Sequence, residues 1–181
     1  MVKYVWGTIP GMAGESPIAV VQGDLYLSRW IENSRRLDAD DPVLLAKIMD
    51  LIPAGSVVVD AGASLGDHAA LYATKATEVH AFEPQMEVFA CMAWNCARAR
   101  VMAHMVGLSD RDGTALISRS STNIGASPIA ATGDTPIQVT RLDRFDLCPA
   151  LIKLDVRGTR YRRFAEHGQP SCARSPSWSS R

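Results

Sequence analysis

The sequence predicts an α/β protein built around a doubly wound, parallel sheet. Short apolar runs alternate with segments of helical periodicity between residues 41 and 156. This alternation is typical of parallel sheets whose strands are joined by helices. The clearest strand is the run of three valines at residues 57–59, because β-branched runs mark strands that are buried on both faces. A turn with two glycines follows it and leads into the next helical segment.

The remaining elements follow from start, stop and periodicity signals. The first predicted helix begins at Asp41 and Pro42, since Asp is a good N-cap and Pro suits the first helical position. Pro53 ends its apolar pattern. Short apolar runs further along predict a β-excursion around a loop rich in Gly, Ser and Thr, at residues 115–117 and 137–139. The other predicted helices lie at residues 69–76 and 85–100, and the predicted strands at residues 57–60, 78–82, 101–108 and 151–156.

Composition divides the chain into three predicted parts. Residues 1–40 are an N-terminal extension, for which a lid, a partner surface and a simple helix all remain open. Residues 41–156 form the core domain. Residues 157–181 hold six arginines and one acidic residue but no Leu, Ile, Val or Met. Such a segment cannot bury enough apolar surface to offset the entropy of ordering it, so a basic, disordered tail is predicted.

Composition also limits the function classes. The chain has no formal net charge and its terminal arginines follow no periodic pattern, so neither nucleic acid nor a membrane is an expected partner. No apolar run reaches the roughly 20 residues of a membrane span and no signal peptide is recognisable, so a cytoplasmic protein is expected. The four cysteines lack metal-ligand spacing, so no metal site is predicted and they are expected to pack as small apolar side chains.

The most informative motif lies at residues 57–68, which read VVVDAGASLGDH. Asp60 ends the strand, and Gly62 and Gly66 bracket the turn after it. Dinucleotide sites place a glycine where this chain has Asp60, because a pyrophosphate lies against the start of the helix. A carboxylate there would repel a pyrophosphate but attract the ammonium or sulfonium group of S-adenosylmethionine. The charge therefore favours S-adenosylmethionine, and a Rossmann-type NAD oxidoreductase remains an alternative.

Glu83 supplies the second half of this argument. It ends the next predicted strand, about 20 residues after Gly62, which is the offset at which an acidic residue meets ribose hydroxyls in such folds. A carboxylate can accept a hydrogen bond from both hydroxyls. The two acidic strand ends together predict a cofactor pocket.

The motif and the later runs AFEP, VGLSDRDG, RLDRF and LIKLDV together resemble the FkbM-type methyltransferases in order and spacing, over about residues 40–156. The resemblance implies a Rossmann-like class I methyltransferase fold. It implies a transferase that O-methylates a hydroxyl on a sugar or secondary metabolite, so the expected partner is a small-molecule or glycan acceptor. The residues implied to bind S-adenosylmethionine are Asp60, Gly62, Ala63, Gly66, Glu83 and Asp110.

The resemblance ends at Val156. The family continues with Glu-Gly and an aromatic residue, whereas this chain has Arg157, Gly158 and Thr159. We therefore expect an incomplete sheet, with strands 1–4 present and strands 5–7 missing, through truncation or a change of reading frame near residue 156. The strand at residues 151–156 would then be a bare apolar edge, which favours self-association and low stability.

Asp155 is the predicted catalytic residue. A hydroxyl acceptor must lose a proton, and Asp155 ends the strand beside the cofactor. A role in positioning the backbone or the cofactor remains equally open. A non-catalytic remnant that binds S-adenosylmethionine weakly or not at all is a further alternative to an active enzyme.

Overall fold

The computed structural model describes residues 1–38, 42–120, 122–124, 127–128, 132–156 and 177–180. None of the helices within these ranges is long and apolar enough to cross a membrane. In chain order the elements are β1 (Val2–Gly7), β2 (Ser16–Val21), α1 (Leu27–Ser34), α2 (Pro42–Leu51), β3 (Val57–Ala61), α3 (Asp67–Tyr72), β4 (Glu78–Phe82), α4 (Met86–Asn95), β5 (Val101–His104), β6 (Gly107–Leu108), β7 (Gly113–Ile117), β8 (Thr135–Thr140), a 3₁₀ helix (Leu142–Phe145), β9 (Pro149–Leu154) and β10 (Ser177–Ser180).

A five-stranded parallel sheet of order β10–β9–β3–β4–β5 forms the centre of the fold. Helix α3 joins β3 to β4, and α4 joins β4 to β5, so the sheet is Rossmann-like, as the sequence predicts. From β3 the chain adds β4 and then β5 on one side, whereas β9 lies on the other side of β3. The strand order therefore reverses between β3 and β9. Crevices at such switch points are the usual ligand sites of open α/β sheets.

Both faces of the sheet are covered, which explains the apolar runs in its strands. Val58 and Val79 pack into the cluster that contains the buried residues of α3 and α4. The opposite face, with Val59 and Phe82, packs against the 3₁₀ helix through Leu142. The strands predicted at residues 57–60 and 78–82 are confirmed as β3 and β4. Burial on both faces gives such strands a recognisable pattern in the sequence.

The predicted bounds of one strand and two helices are wrong. The strand predicted at residues 101–108 is two strands, since β5 ends at His104 and β6 pairs with β8 in a separate sheet of order β6–β8–β7. The apolar pattern continues through the break, so the sequence carries no sign of it. The helices predicted at residues 69–76 and 85–100 are the shorter α3 and α4. The predicted β-excursion is confirmed as the antiparallel pair β7 and β8.

The N-terminal segment packs directly against the sheet domain. Strands β1 and β2 form an antiparallel hairpin, and α1 follows it. Ile18 and Ile31 from this segment share one apolar cluster with Val58 of the sheet. The first 38 residues therefore contribute to the same core. The division of the chain at residue 40 stays a prediction, and the predicted N-cap Asp41 lies outside the described residues.

The predicted bare edge at residues 151–156 is wrong. Strand β10 pairs in parallel with β9, with Ser177 opposite Leu151 and Ser180 opposite Leu154. Pairing uses main-chain N–H and C=O groups, which a segment without Leu, Ile, Val or Met also carries. One further strand thus follows β9 in the sheet, and a piece of the predicted disordered tail contributes it. The rest of that tail, residues 157–176 and 181, lies outside the described residues; self-association stays a prediction.

Candidate functional site

A cavity of about 260 Å³ lies at the carboxyl ends of the central strands. Its wall includes Gly62, Glu83 and Asp155, which follow β3, β4 and β9 respectively. The carboxyl ends of parallel strands meet at one edge of a sheet, so three residues predicted from distant parts of the sequence come together here. The position matches the switch point between β3 and β9, where ligands of open α/β sheets bind.

The two glycines of the motif fit their backbone surroundings closely. Gly62 has a φ of 77°, and a Cβ atom there would overlap the carbonyl oxygen of Asp155. Its N–H group and that of Ala63 both donate to the carbonyl oxygen of Phe82, at 2.9 and 3.0 Å. Gly66 has a φ of 88°, and its Cβ atom would lie 2.6 Å from Sγ of Cys96. Chain packing therefore requires both glycines, and Gly62 also forms part of the cavity wall.

Glu83 is a buried carboxyl group that faces the cavity. Its Oε1 accepts a hydrogen bond of 2.9 Å from the N–H group of Gln85. Burial raises the pKa of this carboxyl group to about 7, although hydrogen bonds from the N–H groups of Gln85 and Ser64 act in the opposite direction. Glu83 therefore changes its charge near neutral pH.

Asp60 is completely buried, and its charge is paired. The register of β3 and β9 places Lys153 directly opposite it, and Lys153 Nζ donates to Asp60 Oδ1 at 3.0 Å. Lys153 forms part of the cavity wall, whereas Asp60 is not among the wall residues that the structure describes. From the sequence Lys153 reads as a lysine at the edge of the core. Its alternation with Asp155 along β9 was the available signal for a place near the site.

The N-terminal segment and the segment between β7 and β8 close the cavity. Asp24, which follows β2, accepts hydrogen bonds from the N–H groups of Ser28 at 2.7 Å and Ile124 at 3.2 Å. Gln85 Nε2 donates to the carbonyl oxygen of Ile124 at 3.0 Å. Asp24, Ser28, Gln85 and Ile124 all belong to the cavity wall. Asp24 is not predicted from the sequence, in which its position four residues before Ser28 is the only local sign.

Some of the residues implied to bind S-adenosylmethionine lie outside the described wall of this cavity, which also includes residues that the sequence did not predict. His68 and Asn123 belong to its wall. Ala63, Gly66 and Asp110 do not belong to the wall as far as the structure describes it. Their contact with a cofactor stays a prediction.

Two of the cysteines in the described part of the chain pack as the sequence predicts. Cys91 and Cys96 are buried, and burial raises the pKa of each thiol to about 12. Cys148 is exposed, and Cys172 lies outside the described residues. Cys91 and Cys96 therefore behave as small apolar side chains, as predicted.

The wall of the cavity is strongly acidic. Its acidic residues are Asp24, Asp67, Glu83 and Asp155, of which Glu83 is partly protonated near neutral pH because burial raises its pKa to about 7. Lys153 is the one lysine or arginine in the wall as described, and it is already paired with Asp60. A concave surface of this charge concentrates cations and repels anions.

Comparisons with known proteins give distant likenesses. No protein-family profile matches the chain, and no curated protein matches it. Among solved structures, it is similar to the methyltransferase FkbM from Methylobacillus flagellatus KT, at 19% identity over 62% of this chain and 31% of that chain, with a TM-score of 0.39. It is also similar to the M. jannaschii tRNA m1G37 methyltransferase, at 10% identity over 90% of this chain and 36% of that chain, with a TM-score of 0.42.

A third likeness is to an rRNA methylase from Streptococcus thermophilus, at 19% identity over 38% of this chain and 45% of that chain, with a TM-score of 0.34. The chain spans less than half the length of each of these three structures. Likenesses of this size do not identify its reaction or its substrate.

Proposed function

We propose that this chain binds S-adenosylmethionine and transfers its methyl group to a hydroxyl group of a small molecule or glycan. The observation that carries the proposal is the acidic wall of the cavity at the switch point of the sheet. Such a wall favours the sulfonium and ammonium groups of S-adenosylmethionine. It disfavours the pyrophosphate of NAD, so the acidic wall supports a methyltransferase over an NAD oxidoreductase.

The residues of the cavity fit the parts of this donor. Glu83 is proposed to hold the ribose, since each carboxylate oxygen has two acceptor positions and Glu83 can accept hydroxyl groups in addition to the N–H group of Gln85. Gly62 is proposed to lie against the amino-acid end, because it has no side chain to fill the cavity wall there. Asp60, Ala63 and Gly66 are proposed to stabilise this turn from outside the cavity wall. Asp110 is kept as the proposed adenine-side residue.

Asp155 is proposed as the general base. The bound donor supplies an electrophilic methyl group. The acceptor oxygen would take up the methyl group that the donor supplies, and the Asp155 carboxylate would accept the proton that the acceptor hydroxyl loses. Asp155 is exposed and belongs to the cavity wall, so an acceptor that approaches from solvent can reach it. Alignment of the acceptor oxygen with the methyl group supplies most of the remaining rate.

The acceptor class rests on the sequence resemblance to FkbM-type methyltransferases, which favours a sugar or secondary metabolite. Acceptor recognition is commonly the task of loops around a rigid scaffold. Two of the described loops at the cavity carry Asp24 and Ile124. We propose that the acceptor enters between them and the end of β9.

Calorimetric titration with S-adenosylmethionine and with NAD tests the proposal. We expect binding of S-adenosylmethionine and no binding of NAD; the opposite result would establish the oxidoreductase alternative. Release of S-adenosylhomocysteine with a promiscuous hydroxyl acceptor then tests turnover. Asp155→Asn is expected to lower turnover by about 10²–10⁴-fold. Binding without turnover in the unchanged chain would identify a non-catalytic remnant.

A further inference from the structure

Lys153 and Asp60 form a buried ion pair beside the cavity. Their side chains are 7% and 0% exposed, and Lys153 Nζ lies 3.0 Å from Asp60 Oδ1. The same ammonium group lies 3.5 Å from the carbonyl oxygen of Gly62. Lys153 therefore joins β9 both to the end of β3 and to the turn that follows it.

The positive charge of Lys153 persists in this environment. Burial acts to lower the pKa of the ammonium group, but the charges of Asp60, Asp67 and Asp155 and the hydrogen bond to Asp60 outweigh that effect, and the pKa is raised. Lys153 thus cancels the charge of Asp60. At the position where the sequence alone suggests an anion, the cavity wall therefore presents Lys153, and the paired Asp60 lies outside the described wall.

Asp155 differs from Asp60 in exposure and in pairing. It is exposed, belongs to the cavity wall, and forms an ion pair with none of the residues that the structure describes. Its N–H group donates to the carbonyl oxygen of Ala61 at 2.9 Å, which fixes the residue beside the end of β3. Its charge acts on Lys153 without a direct ion pair, and its exposed carboxylate is accessible to a ligand in the cavity.

We infer that Lys153 is a positioning residue that neutralises Asp60 and holds the Gly62 turn, and that Asp155 is the carboxylate that recognises the positive sulfonium group. The inference rests on the proposed function and assigns the preference for a charged donor to a different residue from the one that the sequence suggests. It also accounts for product release. Methyl transfer turns the sulfonium into a neutral thioether and gives Asp155 the acceptor's proton, so both partners of this contact lose their charge in one step.

The ratio of the dissociation constants for S-adenosylhomocysteine and S-adenosylmethionine measures this preference, because the two compounds differ in the charged methyl–sulfonium group. Calorimetry on Asp155→Asn is expected to show a fall of about fivefold in the ratio, the effect of one charge at about 4 Å in water-like surroundings. The matched control is Asp50→Asn, which removes an exposed carboxylate outside the cavity wall. It is expected to leave the ratio within about twofold of that of the unchanged chain.

A second pair of variants separates the effect of the Asp60 charge from that of the Lys153 charge. Asp60→Asn leaves the charge of Lys153 uncompensated, so the ratio is expected to fall by about fivefold. The double variant Asp60→Asn with Lys153→Met removes both charges, which folded proteins commonly tolerate, and is expected to restore the ratio. Circular dichroism melts show which variants fold. If Asp60→Asn alone does not fold, the double variant and Asp155→Asn are sufficient to test the inference.

The outcomes separate this inference from the proposed function. If the double variant loses the preference and Asp155→Asn keeps it, Asp60 recognises the donor directly; the inference then fails and the proposed function stands. If the unchanged chain binds neither compound, the proposed function fails, and the inference fails too because it rests on that function.

Discussion

The proposed contact of Glu83 with the ribose would make donor binding depend on pH. Burial raises the pKa of its carboxyl group to about 7. Ribose hydroxyls donate to the ionised carboxylate, so binding favours loss of the proton. We expect the affinity for S-adenosylmethionine to be constant above about pH 8 and to fall by up to about tenfold for each pH unit below about pH 7. Calorimetry from about pH 5.5 to about pH 9 measures this profile.

The variant Glu83→Gln is the matched test of that assignment, since it keeps the shape of the side chain but does not ionise. We expect it to bind the donor about tenfold more weakly at about pH 8, because it loses hydrogen bonds to a charged acceptor. Its affinity is expected to vary little with pH. An unchanged profile in the variant would show that another group titrates.

The sequence reveals site residues that follow strand ends and misses those that depend on long-range packing. Glu83 and Asp155 are predictable because the carboxyl ends of parallel strands meet at one edge of the sheet. The pairing of Asp60 with Lys153 depends on the register of two strands whose residues are 93 positions apart, and no local pattern encodes it. Asp24 is equally hidden, since nothing near it shows that the turn after β2 folds over the cavity.

At the scale of elements, the turn between β3 and α3 depends on Gly62 for space as well as for conformation. Gly14 has nearly the same φ, 74° against 77°, but no atom lies within 4 Å of its Cβ position. Gly14→Ala is therefore expected to lower the free energy of unfolding by only about 1–2 kcal/mol, which is the cost of a left-handed backbone at a residue with a side chain. Gly62→Ala also brings a Cβ atom against the backbone of Asp155, so we expect a loss of stability at least about 2 kcal/mol larger.

Urea unfolding of the two glycine variants measures the difference. Equal losses would mean that the end of β9 moves away from the turn at little cost. In that case the close contact between β3 and β9 would not hold the floor of the cavity in place.

Asp24 connects α1 to the segment between β7 and β8. Its carboxylate accepts hydrogen bonds from Ser28 N–H, in the first turn of α1, and from Ile124 N–H. Asp24→Ala leaves both buried donors without this acceptor, and we expect it to cost about 1–3 kcal/mol of stability. Amide hydrogen exchange at Ile124 is expected to accelerate. Asp50→Ala, on the exposed side of α2, is the control, and equal exchange rates in the two variants would contradict this role.

The predicted and observed elements differ where packing decides the outcome. Strands β3 and β4 are buried on both faces, so their sequences alone locate them. The split of the predicted third strand into β5 and β6 arises because β6 pairs with β8, about 30 residues further along the chain. An apolar pattern records burial but not the partner, and so it cannot show where a strand changes sheet.

At the scale of the whole molecule, the pairing of β10 with β9 protects one edge of the central sheet. Strand β10 covers the apolar strand β9, whose residues Leu151, Ile152 and Leu154 are buried. A chain that ends at residue 176 would expose this edge, and unpaired apolar edges pair with other chains. We expect the shortened chain to aggregate in size-exclusion chromatography and to melt at a lower temperature, by about 2–4 °C for each kcal/mol lost. A chain that ends at residue 180 keeps β10 and is the matched control. Identical melting temperatures and elution for the two shortened chains would mean that β10 contributes nothing measurable to the sheet. Strand β9 would then be the effective edge, as the sequence predicts.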